Sequence, residues 1–517
     1  MAKPDRIFLM PRQYFRRDAQ GEYPLASTEA TFWSKAVSTL LIENAAILTL
    51  DAAGRFIERG DILVDGQTIT AVGTVDPALK QRAVRTIDGR RFLAAPGMVN
   101  AHMHTPGALS AGTQDAVSHP VFMWLNQADT SGRLPREVYV SAMLNAAQML
   151  LSGTTTAIDH FPAQNFGPED VAAAVEAYGH SGMRMVLGLR VFDDAFTDIF
   201  PSDRPLPPDL AEDLKRLAPL PPKPLPETRA LIEQSVELYH RPQERLSVFP
   251  SPTNPVRCSD ELLLMCRDIA ERHDLGIHTH LLESKIQTTI AAKRYGCTMV
   301  QHLERLGLLS HRLSCAHTIW IEQEDIDRLA KHGVVVVHNP ESNLKVGTGI
   351  APIAQMLAGG VTVAVGTDGS ITNDNLAMHE ALRLAAMLGR TSQPDRHRWV
   401  TARQALAMGT EGGARAVQLA GQIGQIATGY RADIVLYDLD TPVWTPLNDP
   451  VQQMVFAETG SSVDTVIVDG KVVVEGGVIT AFDAAAIIRE AKPMLAAIRE
   501  RNRDLYQFAR RMGDIFP

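Results

Sequence analysis

Residues 91–104 read RFLAAPGMVNAHMH, an apolar run that stops abruptly at two histidines one residue apart. Short apolar runs bounded by Gly or Pro are typical of strands buried on both faces. The construction recurs in GTTTAIDHF (153–161), RMVLGLRVF (184–192), LGIHTHLLES (275–284), LSCAHTIW (313–320), GVVVVHNPESN (333–343) and GVTVAVGTDGS (360–370). Each run ends in polar residues. Helix-like stretches such as Glu137–Leu151 and Glu324–His332 separate them. Repeated strand-then-helix units predict an α/β protein with a parallel sheet. Seven or eight units between 96 and 417 fit a closed (β/α)8 barrel of the TIM type, whose active sites lie at the C-terminal strand ends.

On both sides of this region the pattern changes. LLIENAAILTLD (40–51) and GDILVDGQTITAVG (60–73) read as hairpin strands. ADIVLYDLD (432–440) and VDTVIVDGKVVVEGGVIT (463–480) look alike, with a turn signal at Asp469-Gly470. Segments 38–95 and 418–480 therefore predict one small β-sandwich domain built from both ends of the chain. Residues 1–37 have no clear period and are read as an extension. Nine prolines fall between Phe200 and Thr228. Proline donates no backbone hydrogen bond, so 200–228 is read as a stiff loop inserted in the barrel, either a lid or a spacer. Residues 481–517 are helical in spacing, with Ala484–Met512 expected as a surface helix.

Composition narrows the function classes. The 517 residues carry 50 Lys and Arg against 59 Asp and Glu, a formal net charge of −9. Such a surface repels phosphate backbones, so no nucleic-acid partner is expected. Four unpatterned cysteines, Cys258, Cys266, Cys297 and Cys315, form no CxxC pair and suit a reducing cytoplasm. The apolar run Ile7–Met10 is too short for a signal peptide, and no membrane helix is expected.

The strand ends carry the chemistry. In a strand, positions i and i+2 share a face, so His102 and His104 can point into the barrel mouth together. His278 and His280 repeat this geometry. His280, nearer the strand end, is the better ligand, and His278 is read as packing or hydrogen-bonding. Glu283 follows just past the strand. His317 and Asp368 end two later runs. Three imidazoles and a carboxylate suit Zn²⁺, with Fe²⁺ as the alternative, and leave a position for water. Trp124 is read either as a platform for a flat heterocycle or as a core residue. His160 is read either as a hydrogen-bond partner of a substrate nitrogen or as a structural residue of the mouth. Asn126, Gln114 and Asp115 can meet amino or oxo groups. His119, His379 and His397 are read as surface or loop residues, and Met123 and Trp320 as packing.

In combination, PGMVNAHMH (96–104), SGTTTAIDH (152–160), HTHLLES (278–284), SCAHTIW (314–320), HNPESNLKVGTGIAPI (338–353), GTDGSITNDNLAMHEALRLAAML (366–388) and GYRADIVLYDLD (429–440) resemble the amidohydrolase superfamily. The resemblance is to its aminohydrolase branch of triazine hydrolases, guanine deaminase and S-adenosylhomocysteine deaminases. It covers residues 38–480 but not 1–37 or the proline-rich insertion. It implies one divalent metal held by His102, His104, His280 and Asp368. It also implies Glu283 as proton shuttle, His317 as the group orienting water or a substrate oxygen, and a pocket lined by the Asn339–Asn343 loop. Binuclear relatives carry a bridging carboxylated lysine at the fourth strand. The run 183–192, taken as that strand, ends in Arg190 and offers no Lys.

The function expected is deamination of an amino-substituted nitrogen heterocycle: a purine, pterin, pyrimidine or s-triazine. Attack by metal-bound hydroxide would release ammonia, with Asp368, Glu283 and His317 as the catalytic groups. The alternatives keep the site and change the bond: dechlorination, N-dealkylation, or hydrolysis of a cyclic amide or urea. A non-catalytic relative is the third reading. The resemblance further implies a homodimer or larger homo-oligomer.

Overall fold

The computed structural model describes residues 39–161, 167–194, 207–217, 222–390 and 393–513. The 1–37 extension and residues 200–206 and 218–221 of the insertion lie outside the described residues. Eight strands form the centre: β1 (Met98–Met103), β2 (Thr154–Phe161), β3 (Arg184–Val191), β4 (Leu246–Pro252), β5 (Ile277–Leu281), β6 (Leu313–His317), β7 (Val335–His338) and β8 (Thr362–Val365). β1–β4 form one parallel sheet and β5–β8 another, with helices in the connections. The two sheets meet at their C-terminal ends. There His280 N donates to Thr253 O at 3.1 Å, and Asp368 N donates to His102 O at 2.9 Å. Nearly every residue of these strands is buried, which explains the unbroken apolar runs.

The strand β4 has no counterpart among the runs read from the sequence. Its LSVFPSP carries two prolines, a composition that argues against a strand. This corrects the lysine argument. The run ending in Arg190 is the third strand of the order, and the fourth is Leu246–Pro252, which also contains no Lys.

Strands from both ends of the chain share a third sheet: Thr39–Leu48, Phe56–Asp65, Thr68–Gly73, Arg85–Asp88, Phe92–Pro96, Ile434–Asp438, Val463–Val468, Lys471–Glu475 and Val478–Ile479. Hydrogen-bond ladders join all nine into one mixed sheet. Ile42, Ile47, Ile62, Val64, Ile434, Leu436 and Ile467 form its own apolar core. Burying each such side chain is worth about 1.5–3 kcal/mol. The 91–104 run is two strands, not one. Phe92–Pro96 pairs with Ile434–Asp438, Gly97 turns the chain, and β1 begins. A Cβ at Gly97 would lie 2.2 Å from the Thr155 side chain, so only glycine fits. Below β3, the buried Arg184 guanidinium bonds to Asp433 (3.1 Å) and Asp469 (2.8 Å), tying the two sheets together.

Part of the insertion is helical, at Pro208–Leu217 and Leu225–Tyr239, because a proline in the first turn costs no intrahelical bond. The C-terminal segment forms three helices instead of one, Ala484–Ala491, Met494–Arg501 and Arg503–Gly513. Leu505, Phe508, Ala509 and Met512, at i, i+3, i+4 and i+7, bury one face of the last. Among the described residues, no helix is long and apolar enough to cross a membrane.

Candidate active site

Four strand ends deliver the predicted donors to one place. The ligand atoms of His102, His104 and His280 lie within 4.8 Å of one another, as do those of His102, His317 and Asp368. Asp368 Oδ1 lies 3.3 Å from His104 Nε2 and 3.6 Å from His102 Nε2. His104 Nε2 is 3.3 Å from His280 Nε2. Ladder register sets the levels, since His280 pairs with Ala316 and Leu281 with His317.

Each imidazole is fixed through its other nitrogen. His104 Nδ1 meets the His160 carbonyl at 2.8 Å, and His280 Nδ1 meets the Thr253 carbonyl at 2.6 Å. A carbonyl only accepts, so each Nδ1 carries the proton and each Nε2 presents a lone pair. His102 Nδ1 instead meets His278 Nε2 at 2.7 Å, and His278 Nδ1 meets Ser314 Oγ at 2.7 Å. Ser314 Oγ donates onward to Ile277 O at 3.2 Å. The expectation that His278 packs or hydrogen-bonds takes this form.

His102 Nε2 and His317 Nε2 are buried without a hydrogen-bond partner, although buried polar atoms almost always have one. Burial pushes His102 well below its ordinary value against the pull of Asp368, and burial with His104 and His317 pushes His280 down to about 3. Burial opposes ionisation of Asp368, yet the neighbouring imidazoles of His102, His104 and His317 hold its carboxyl well below the usual range. Neutral imidazoles aimed inward and an ionised carboxylate fit a divalent cation with three nitrogen donors and one oxygen donor.

The backbone is strained at the same places. His317 (φ 71°), Asp368 (φ 61°) and Leu282 (φ 49°) are left-handed non-glycine residues. Such conformations cost of order 1–3 kcal/mol and cluster at functional sites. Gly366 has no room for a side chain, because a Cβ would sit 2.6 Å from Asn339 Oδ1.

Glu283 Oε1 stands 4.0 Å from His317 Nε2. Burial opposes its ionisation, but His317 and His119 hold the carboxyl at about 2. His317 Nδ1 bonds Asn343 Oδ1 at 2.8 Å, with Asn339 Nδ2 at 3.4 Å. Asn339 immediately precedes a short helix, Pro340–Lys345, where a loop was expected. Ser342 Oγ donates to Asp368 Oδ2 at 2.6 Å. Buried His160 lies against this cluster, its ring centroid 4.6 Å from that of His280. The loops after β1, β7 and β8 form a cleft lined by Gln114, Asp115, Val117, Phe122, Lys345 and Ile371.

Some expectations change. Trp124 is 1% exposed and packs on Phe508 and Ala128, so the core reading holds and the platform reading does not. Asn126 lies on the same helix, His119–Thr130, and its backbone carbonyl accepts from Thr130 Oγ1 at 2.7 Å. His379 is buried, not a surface residue. Trp320 is 39% exposed, with Lys285 Nζ over its ring at 5.6 Å. His119, read as a surface or loop residue, lies 3.7 Å from Glu283 Oε1. No local motif marks it, since only the tertiary path of the β1 loop brings it there. Ser342 was legible only as part of the Asn339–Asn343 segment.

Residues 93–473 match the amidohydrolase family. The chain belongs to that family. This amidohydrolase is 35% identical over 440 residues to the 5-methylthioadenosine/S-adenosylhomocysteine deaminase of Syntrophobacter fumaroxidans, covering 84% of this chain and 93% of the relative. Its fold matches atrazine chlorohydrolase TrzN from Arthrobacter aurescens, complexed with zinc, with a TM-score of 0.79 and 26% identity over 88% of this chain and 100% of that one. It also matches an adenosine deaminase from Xanthomonas campestris with bound zinc, with a TM-score of 0.74 and 27% identity over 90% and 98%. The amidohydrolase is a hydrolase acting on carbon–nitrogen bonds.

Proposed function

We propose that this amidohydrolase removes the 6-amino group of a 5′-modified adenosine, with one divalent cation, zinc by preference, held by His102, His104, His280 and Asp368. The observation that carries the reading is the complete donor set with Glu283 beside it, in a chain 35% identical to a methylthioadenosine/S-adenosylhomocysteine deaminase. The fourth strand, Leu246–Pro252, carries no lysine, which supports the reading of a single cation. The two parallel sheets are read as halves of one closed (β/α)8 barrel spanning 96–417, with 38–95 and 418–480 as the second domain.

A divalent cation bound there would supply Lewis acidity, bringing the pKa of a water down to about 7. The chain's groups do the rest. Asp368, ionised and fixed by Ser342, accepts a proton from the attacking water. His317 gives Nδ1–H to Asn343 Oδ1, which leaves Nε2 to accept a hydrogen bond from the water and orient it. Glu283 moves a proton to the ring nitrogen next to the attacked carbon, making that carbon electrophilic, and regains one from the added hydroxyl as the carbonyl forms. Water adds, the carbon–nitrogen bond breaks, and ammonia leaves with the proton returned from Asp368. The products are the 6-oxo nucleoside and ammonia, one water being consumed.

The test is ammonia release from adenosine, 5-methylthioadenosine, S-adenosylhomocysteine, guanine, a pterin and aminotriazines, with chloride release from a chlorotriazine measured alongside. Turnover of a 5′-modified adenosine with kcat/KM above about 10⁴ M⁻¹s⁻¹ supports the reading. Activity confined to triazines or chloride release overturns it.

A further inference from the structure

The helix His119–Thr130 follows β1 and joins two distant parts of the molecule. Its buried face carries Trp124 and Ala128, and the last helix, Arg503–Gly513, lies against them. The Trp124 and Phe508 rings meet edge-on with centroids 4.8 Å apart. Tyr506 OH donates to Asp129, and the Asn502 amide donates to the carbonyls of Ala128 and Ser131 at 2.8 Å each. All these partners lie beyond residue 473, where the family match ends. At the helix's first residue, His119 Nε2 is buried and has Glu283 Oε1 3.7 Å away. The Phe122 ring stacks behind it at 6.5 Å. Glu283 is thus flanked by two imidazoles, His317 toward the donor cluster and His119 away from it.

We propose that His119 is the positioning residue of Glu283, its Nε2–H holding the carboxylate aimed at the reacting atoms, and that the C-terminal helix keeps His119 in place through Trp124. The proposal rests on Glu283 as the proton-carrying group. A glutamate side chain has three rotatable bonds, and one strand-end loop does not fix them. A second donor, on an element anchored elsewhere, does. A misplacement of about 1 Å in a catalytic group can cost on the order of 100-fold in rate.

The zinc-loaded full chain tests this through His119→Leu, His119→Gln, Phe508→Ala and Tyr506→Phe. His119→Leu is expected to lower kcat about 10- to 100-fold, with KM within a few-fold and metal content unchanged. His119→Gln keeps an N–H donor and should recover most of the loss. A His119→Leu kcat within about twofold of wild type, or no recovery with Gln, overturns the proposal. Spectra of ¹⁵N-histidine-labelled protein give a readout free of substrate. The signal lost in His119→Leu must shift in Glu283→Gln, and also in Phe508→Ala or Tyr506→Phe. A signal unmoved by Glu283→Gln overturns the pairing, and one unmoved by both helix variants overturns the C-terminal route. If wild type releases no ammonia from any nucleoside, the substrate reading fails while the spectra still decide on His119.

Discussion

Replacing His278 with Leu removes one hydrogen-bond acceptor from a place that water does not reach. His102, His278 and Ser314 are all buried, and they are linked by contacts of 2.7 Å and 2.7 Å that end at the Ile277 carbonyl. Each proton in this chain points away from the donor cluster, which keeps His102 Nε2 free for a cation. Without His278 the Nδ1–H of His102 has no partner. Stranding a buried donor costs about 1–3 kcal/mol. The ring can escape only by moving its proton to Nε2 or by turning, and either removes a ligand. Loss of such an outer partner typically weakens metal binding 10- to 100-fold, which matches that energy. The assay is zinc affinity by competition with a chromophoric chelator. His278→Leu should raise the zinc Kd by this factor. His278→Gln can accept from His102 and donate to Ser314, so it should stay near wild type. An unchanged Kd in the Leu variant, with the fold intact, refutes the reasoning.

Glu283→Gln should lower turnover about 10²- to 10⁴-fold with zinc content unchanged, read by ammonia release and metal analysis. Arg184→Met leaves the buried Asp433 and Asp469 without this counter-charge, and should cost about 3–5 kcal/mol, read as a lower urea midpoint. Burial and Glu380 push the Glu341 carboxyl from 4.5 up to about 8, so between those pH values the folded state holds a proton the unfolded chain has lost. Stability from this group therefore falls as pH rises toward 8. Glu341→Gln should gain on wild type from pH 5 to 8.5 in urea melts, and parallel curves would contradict this.

The donor cluster was legible because strand alternation and strand ends are one-dimensional facts. His102, His104, His280, His317 and Asp368 each close an apolar run, and the spacing says which way they face. β4 was not legible because its prolines hide a strand whose ladder partner, β3, lies on the far side of the insertion in sequence. Trp124 and His119 share one helix, and nothing local tells their surroundings apart. Only the tertiary fold sets Trp124 against Phe508 and His119 near Glu283. The single nine-stranded sheet likewise depends on ladders between distant segments, such as Phe92–Pro96 with Ile434–Asp438.

That pairing has a consequence for biosynthesis. Pro96 leaves the ribosome about 340 residues before Ile434 does, which at roughly 5–20 residues per second is on the order of 20–70 s. Throughout that interval FLAAP is an unsatisfied, apolar sheet edge, the kind of surface on which nascent chains associate. A product terminated before residue 434 would therefore be an adhesive fragment, not a smaller enzyme, and cellular yield should depend on whatever shields that edge until the closing strand arrives.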